Sequence, residues 1–304
     1  MVRSVILAAA GSAWVRRLIS TAPPTAALVR RFVAGESAQE AIAVARGLHM
    51  DGCNTTIDFL GEDVTDAAGA DAVTSAYTQL LRGLRECQAT PFAEVSVKLS
   101  ALGQRFDPQR ALANAAAICQ AARDAGTTVT IDAEDHTTID AALDTLSLLR
   151  NEYPDTGAVM QAYLRRTEAD CRDLATPGSR VRLCKGAYSA PESVAYQVRH
   201  DVDRSYVRCL NVLLAGAGRP MIATHDARII AIATERAYHY RRSAEEFEFQ
   251  LLLGAHVNAR RDLLSAGHTV RVYVPYGAAW YGYLMRRLAE RPANVSFFLR
   301  ALAS

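Results

Sequence analysis

Two adjacent arginines, Arg286 and Arg287, follow an aromatic-rich run, Tyr273-Val-Pro-Tyr-Gly-Ala-Ala-Trp-Tyr-Gly-Tyr283. Guanidinium forks are planar and bind carboxylates through paired hydrogen bonds. Two of them beside an aromatic ring suit the holding of a small carboxylate in one pose. Side chains three and four apart on a helix are neighbours, which groups Tyr283 with Arg286 and Arg287 and brings Glu290 near both arginines. That grouping requires the strand-like run Val270 to Val274 to break at Pro275 and Gly277, with a helix beyond. Taken alone, an arginine pair is an ordinary solvated basic face, so the remainder of the sequence must decide.

The elements that would position such a clamp recur from residue 52 onward. Short strand-like runs, each ending in polar residues, alternate with alanine- and leucine-rich helical stretches such as 108–125 and 138–151. Eight runs stand out: 55–60, 94–99, 128–133, 158–164, 181–185, 221–224, 247–252 and 270–274. Eight β-then-α units in about 250 residues match a (β/α)8 barrel of the TIM type. A doubly wound sheet would use fewer strands and a glycine-rich first turn; no G-x-G-x-x-G follows a strand and no P-loop is present. The expected architecture is therefore α/β, with an N-terminal helical segment over 1–50 and the barrel over 51–304. Within the first segment, Gly35-Glu-Ser37 makes a break and Ser37 is a candidate helix cap.

Alternation along these runs aims polar groups into the lumen. Val95, Val97 and Leu99 share one face, so Ser96, Lys98 and Ser100 share the other. The same pattern turns Thr130, Asp132, Glu134, Gln161, Arg182 and Thr224 inward. Most of them fall where strands end, the rim where barrel enzymes carry their sites.

Composition narrows the chemistry. Half of the 304 residues are hydrophobic and the net charge is +2, with acids and bases interspersed, so no nucleic-acid tract is expected. Six cysteines lack any Cys-x-x-Cys pair, which favours free thiols in a reducing compartment. The opening Val5 to Ala10 stretch is short and lacks a convincing cleavage site, and no window has the apolar length of a membrane span. A cytoplasmic protein is expected, one that could touch a membrane surface through its N-terminal segment.

Three chemistries fit the lumen residues. Asp132, Glu134 and His136 lie at alternate positions, as metal ligands could, but no second His or Cys cluster accompanies them, and no metal is expected. A Schiff-base aldolase would use Lys98 or Lys185, made neutral by apolar surroundings. A flavin enzyme would use Lys185-Gly-Ala-Tyr188 after a strand, Gly186 admitting a ligand close to backbone and Lys185 supplying a cation for phosphate. Thr224, His225 and Gln161 would add hydrogen bonds to its cofactor, and Arg182 would stabilise negative charge on reduction. Spacing alone leaves the aldolase and the flavin enzyme open.

An ordered set of fragments resembles one family. Thr56-Ile-Asp-Phe-Leu-Gly-Glu62, Val95-Ser-Val-Lys-Leu-Ser100, Ile131-Asp-Ala-Glu134, Gln161-Ala-Tyr163, Val181-Arg-Leu-Cys-Lys-Gly-Ala-Tyr188, Thr224-His225, Phe247-Glu-Phe-Gln250 and Tyr283-Leu-Met-Arg-Arg-Leu-Ala-Glu290 closely resemble proline dehydrogenases of the monofunctional bacterial type. The resemblance runs from about residue 45 onward, with fragments in register along the predicted strands. It implies an FAD-dependent barrel that oxidises L-proline to Δ1-pyrroline-5-carboxylate, the first step of proline degradation. It implies that Lys98, Arg286 and Arg287 grip the substrate carboxylate, that Tyr273 and Tyr283 wall the ring, and that Asp132 and Arg182 are active-site residues. It further implies cofactor contacts from Ala133, Gln161, Lys185, Gly186, Ala187, Thr224 and His225, and a gate at Glu62 that pairs with Arg286. Leu253 departs from the family, where histidine or tyrosine is frequent. A quinone-type electron acceptor and transient association with pyrroline-5-carboxylate dehydrogenase are the implied partners.

Overall fold

The computed structural model describes residues 29–61 and 64–289, and from 286 to 289 the backbone alone. The expected helices of residues 1–28, together with Glu62 and Glu290, lie outside the described residues. Eight parallel strands close into a barrel in sequence order, with β8 hydrogen-bonded to β1. They are β1 (Asn54–Phe59), β2 (Ala93–Val97), β3 (Val129–Ile131), β4 (Gly157–Gln161), β5 (Arg180–Cys184), β6 (Arg219–Ala223), β7 (Glu248–Leu252) and β8 (Val270–Tyr276). The helices are α1 (Ala38–Met50), α2 (Ala67–Glu86), α3 (Pro108–Ala125), α4 (Ile139–Arg150), α5 (Thr167–Leu174), α6 (Arg199–Ala215), α7 (Ala227–His239), α8 (Val257–Ser265) and α9 (Trp280–Ala289).

Side-chain period explains why the strands close with their polar face inward. Ile57, Val95, Val97, Val129, Ile131, Leu183, Phe249, Leu251, Val272 and Val274 lie within one core cluster with the helix faces. Their alternate neighbours point to the lumen. Ala41, Ile42, Ala45 and Leu48 of α1 belong to that same cluster, so α1 is packed on the barrel wall. Its start is set by Ser37, whose hydroxyl accepts from the Glu40 amide at 3.3 Å while Glu40 reaches back to the Ser37 amide at 3.0 Å. Ser37 is thus the helix cap expected, and Glu40 makes the cap reciprocal.

Strand ends differ from the alternation pattern in three informative places. β3 stops at Ile131, so Asp132, Ala133 and Glu134 form the rim, although the Asp132 amide still donates to the Val97 carbonyl at 2.8 Å. β4 stops at Gln161, where Leu164 N–H turns back to the Gln161 carbonyl. β8 continues through Pro275 to Tyr276; the break falls at Gly277, because the proline carbonyl accepts from Ala34 N–H at 2.9 Å and the strand keeps a partner.

Candidate active site

Strands β1, β2, β3, β5 and β8 deliver one connected polar array to the C-terminal end of the lumen. Lys98, directly after β2, donates to both oxygens of Asp58 at 2.9 and 2.8 Å, and its ammonium lies 3.6 Å from Asp132 Oδ2. Asp132 accepts from Ser96 Oγ at 2.6 Å, Arg182 Nη1 at 2.7 Å and Tyr273 Oη at 2.6 Å. Arg182 also donates to Gln250, and its guanidinium lies 5.3 Å from the centre of the Tyr273 ring. Four predicted site residues, Lys98, Asp132, Arg182 and Tyr273, are thus brought into one network.

Burial sets the electrostatics of this array. Asp58 is 1 % exposed, and desolvation pushes its carboxyl up to about 6 even though the Lys98 ammonium works against the rise. Burial and the Asp132 carboxylate push the Tyr273 phenol well above its ordinary value, so it remains a hydrogen-bond donor. Below the site a second layer carries Glu94, Glu248, Arg180 and Arg271. Burial would raise Glu94, yet Arg180, Arg271 and Arg182 hold it well below the usual carboxylate range. Arg271 donates to Glu248 at 2.7 Å and to the Thr55 carbonyl at 2.8 Å. Asp58 and this lower layer escaped the sequence reading, although Thr56-Ile57-Asp58 alternates as clearly as the run in β2.

The residues expected to contact a cofactor occupy the rim between β3 and β7. Gln161 donates to the Glu134 carbonyl at 2.7 Å. Glu134 itself accepts from the Ser100 amide at 2.9 Å and from its hydroxyl, so it closes the turn after β2. Among the described residues no three His, Cys, Asp or Glu side chains are grouped as a metal would need. Ala133 packs against the small cluster of Ile139, Tyr163, Leu164 and Ala195. Gly186 has φ +100°, and a Cβ there would stand 2.1 Å from the Tyr163 ring, so glycine is required; Ala187 beside it is exposed. Lys185 donates to Asp203 and to Asp226, the latter at 2.9 Å. Thr224 Oγ accepts from the Asp226 amide at 3.1 Å, and His225 Nε2 accepts from the Leu252 amide at 3.0 Å. The Leu253 amide donates to the Tyr273 carbonyl at 3.0 Å, so its backbone extends the ladder.

Two features decide what the rim can bind. The Tyr163 hydroxyl and His136 Nδ1 are buried without a hydrogen-bond partner among the described residues. Buried polar atoms are seldom left unpaired, and a ligand with a polar edge seated there would pair them. The second feature is the pairing of both candidate Schiff-base lysines with carboxylates, Lys98 with Asp58 and Lys185 with Asp203 and Asp226. A Schiff-base lysine needs apolar isolation instead, so the aldolase alternative falls.

On the last helix, α9 carries Arg286 and Arg287 on its backbone, and their side chains lie outside what is described. Tyr283 is 7 % exposed and belongs to a cluster with Phe32, Val33, Leu60, Trp280 and Leu284.

Comparison with known proteins agrees with this geometry. Residues 41–300 match the family model described as Proline dehydrogenase. Proline dehydrogenase 1 of Bacillus subtilis (strain 168) is 34% identical over 273 residues, covering 90% of each chain. Proline dehydrogenase of Deinococcus radiodurans is 35% identical over 280 residues, again covering 90% of each. Among solved structures, proline utilization A (PutA) from Bdellovibrio bacteriovorus inactivated by N-propargylglycine superposes with a TM-score of 0.81 at 25% identity. The match covers 88% of this chain and spans 33% of that longer one. A closed parallel barrel, an acid–base array at its carboxyl mouth and these relatives together identify the chain as a member of the proline dehydrogenase family.

Proposed function

We propose that this protein oxidises L-proline to Δ1-pyrroline-5-carboxylate at the carboxyl mouth of the barrel, with FAD as its cofactor. The observation that carries the reading is the contact of Lys98, Asp132, Arg182 and Tyr273 across two strands and two strand ends, in a chain of this family. Proline offers a carboxylate, a secondary amine and an apolar ring. Lys98, Arg286 and Arg287 would take the carboxylate, and Tyr273 and Tyr283 would wall the ring. Fixing the ring carbon beside nitrogen in this way is a positioning effect worth several kcal/mol. Bound FAD supplies the acceptor for the hydride that leaves that carbon.

The chain's own residues prepare the substrate. Oxidation to an imine requires a neutral amine, and the cations around the carboxylate disfavour its protonated form. Asp132, already accepting from Ser96, Arg182 and Tyr273, acts in this reading as the post that orients those partners rather than as the base. The Arg182 guanidinium, buried in the lumen, would offset negative charge gained nearby. Ala133, Gln161, Lys185, Gly186, Ala187, Thr224 and His225 would hold the cofactor along the β3–β6 rim. The Tyr163 hydroxyl, buried without a partner among the described residues, supports a polar ligand there. Glu62 would gate the empty site by pairing with Arg286.

The electron acceptor in this reading is quinone-type, reached from the cytoplasmic side of a membrane surface. Among the described residues no helix is long and apolar enough to cross a membrane. Transient association with pyrroline-5-carboxylate dehydrogenase would pass the product onward. The visible spectrum of the purified protein tests the central claim: a flavin spectrum that L-proline bleaches without oxygen supports it, and a colourless protein refutes it. Arg286→Met should raise KM for proline by about a hundredfold, the loss of a paired charged contact, while the protein keeps its flavin. An unchanged KM would remove Arg286 from the clamp.

A further inference from the structure

Among the described residues Asp58 is a buried acid beside Lys98 that the family resemblance and the reaction leave without a role. It projects from β1, whose Cα register sets it against Ser96 on one side and Pro275 on the other. Among the described residues Lys98, Tyr77 and Tyr273 face it, and the Tyr273 proton goes to Asp132 Oδ2 at 2.6 Å. Tyr77 Oη stands 3.3 Å from Oδ1, but that hydroxyl has one proton and lies 2.6 Å from the Ser96 carbonyl, which takes it. The Lys98 ammonium therefore supplies the two short bonds to Asp58, one to each oxygen.

The arrangement also matters from the lysine's side. Lys98 has a flexible four-carbon stem, and its side chain is 13% exposed, so its position needs support. Asp132 is poorly placed to give that support, because its oxygens already accept from Ser96, Arg182 and Tyr273 and it stands 3.6 Å from the ammonium. We propose that Asp58 is a positioning residue which fixes the Lys98 ammonium in place for the substrate carboxylate, without touching the substrate. The proposal rests on the reading of Lys98 as part of the carboxylate clamp.

The sign of the effect separates this role from simple electrostatics. Asp58 is negative when ionised, so removing it by charge alone would favour an incoming carboxylate. Weaker binding after its removal therefore reports the displacement of Lys98. The probes are L-proline and a non-reacting five-membered ring carboxylate in which an ether oxygen replaces the amine. KM, kcat, the probe's Kd from flavin absorbance and flavin content are measured for Asp58→Ala, Asp58→Asn, Lys98→Met and the double variant Asp58→Ala with Lys98→Met.

The expected result is that Asp58→Ala raises KM and the probe's Kd about tenfold or more, with KM rising further than kcat falls. Asp58→Asn retains an oxygen for Lys98 and should recover most of that affinity. In the Lys98→Met background the Asp58→Ala effect should vanish, as for two residues acting through one contact. If Lys98→Met weakens binding but Asp58→Ala does not, or does so equally in both backgrounds, the role of Asp58 is overturned and the clamp stands. If Lys98→Met itself leaves binding unchanged, the clamp reading of Lys98 fails and the role of Asp58 fails with it. Should Asp58→Ala not fold, Asp58→Asn in the two backgrounds decides the same question: tighter binding than wild type in the Lys98 background overturns the proposal.

Discussion

At the scale of single residues, Tyr273 links the two halves of the site. Its hydroxyl donates to Asp132 Oδ2 at 2.6 Å while its ring faces the Arg182 guanidinium. Tyr273→Phe keeps the ring and leaves Asp132 with two donors and the nearby Lys98. Loss of one charge-assisted bond predicts a fall in kcat/KM of about tenfold with flavin content unchanged, measurable by steady-state kinetics. A variant with wild-type kcat/KM would show that Asp132 needs no help from β8. The residues of this network were legible in the sequence wherever a charge interrupts an apolar alternation, as Lys98 does in Val95-Ser-Val-Lys-Leu. Asp58 carries the same signal but lies forty positions from its partner. Alternation shows which way a side chain faces and is silent on what it meets across a closed sheet.

At the scale of elements, the placement of α9 decides where the arginine pair stands. The segment before α1 holds it: Trp280 Nε1 donates to Glu36 at 3.0 Å, and Phe32 and Val33 pack with Tyr283, Leu284 and Met285. The same segment is pinned to the barrel rim by Ala34 N–H on the Pro275 carbonyl and Gly277 N–H on the Gly35 carbonyl, each 2.9 Å. Arg31 Nε reaches the Gly254 carbonyl at 3.1 Å, and Gly254, at φ +72°, leaves no room for a Cβ against the Arg31 carbonyl 1.9 Å away. Val33→Ala, which trims this contact without touching the lumen, should raise KM for proline several-fold while leaving kcat within about twofold, because the clamp is loosened and the chemistry is not. Equal losses in kcat and KM would argue that the segment supports the barrel generally. None of this docking could be read from sequence. The periodicity of residues 28–33 announces a helix, whereas its partner is an aromatic face some 250 positions away.

At the scale of the whole molecule, the lumen is a stack of compensated charges rather than the layers of branched aliphatics common to such barrels. The barrel was visible because eight β-then-α units recur, but the compensation depends on closure, which brings Arg180 of β5 and Arg271 of β8 onto Glu94 of β2. The lower-layer carboxylates and Asp58 respond to pH in opposite directions. Glu94 and Glu248 are held low by arginines, so they contribute stability above the usual carboxylate range and lose it as pH falls through their depressed values. Asp58 is raised to about 6, facing Lys98, Asp132, Tyr77, Tyr273 and Tyr276, so the folded protein holds a proton that the unfolded chain releases near its ordinary value. Between those two values the folded state binds more protons, and raising the pH through that window costs stability at this site alone. The Tm of Asp58→Asn minus that of the wild type should therefore rise by about 2 °C or more between pH 4 and pH 7, as a change near 1 kcal/mol would give in a domain of this size. Parallel Tm profiles for the two proteins would mean that Asp58 is ionised throughout, and that Lys98 outweighs its burial.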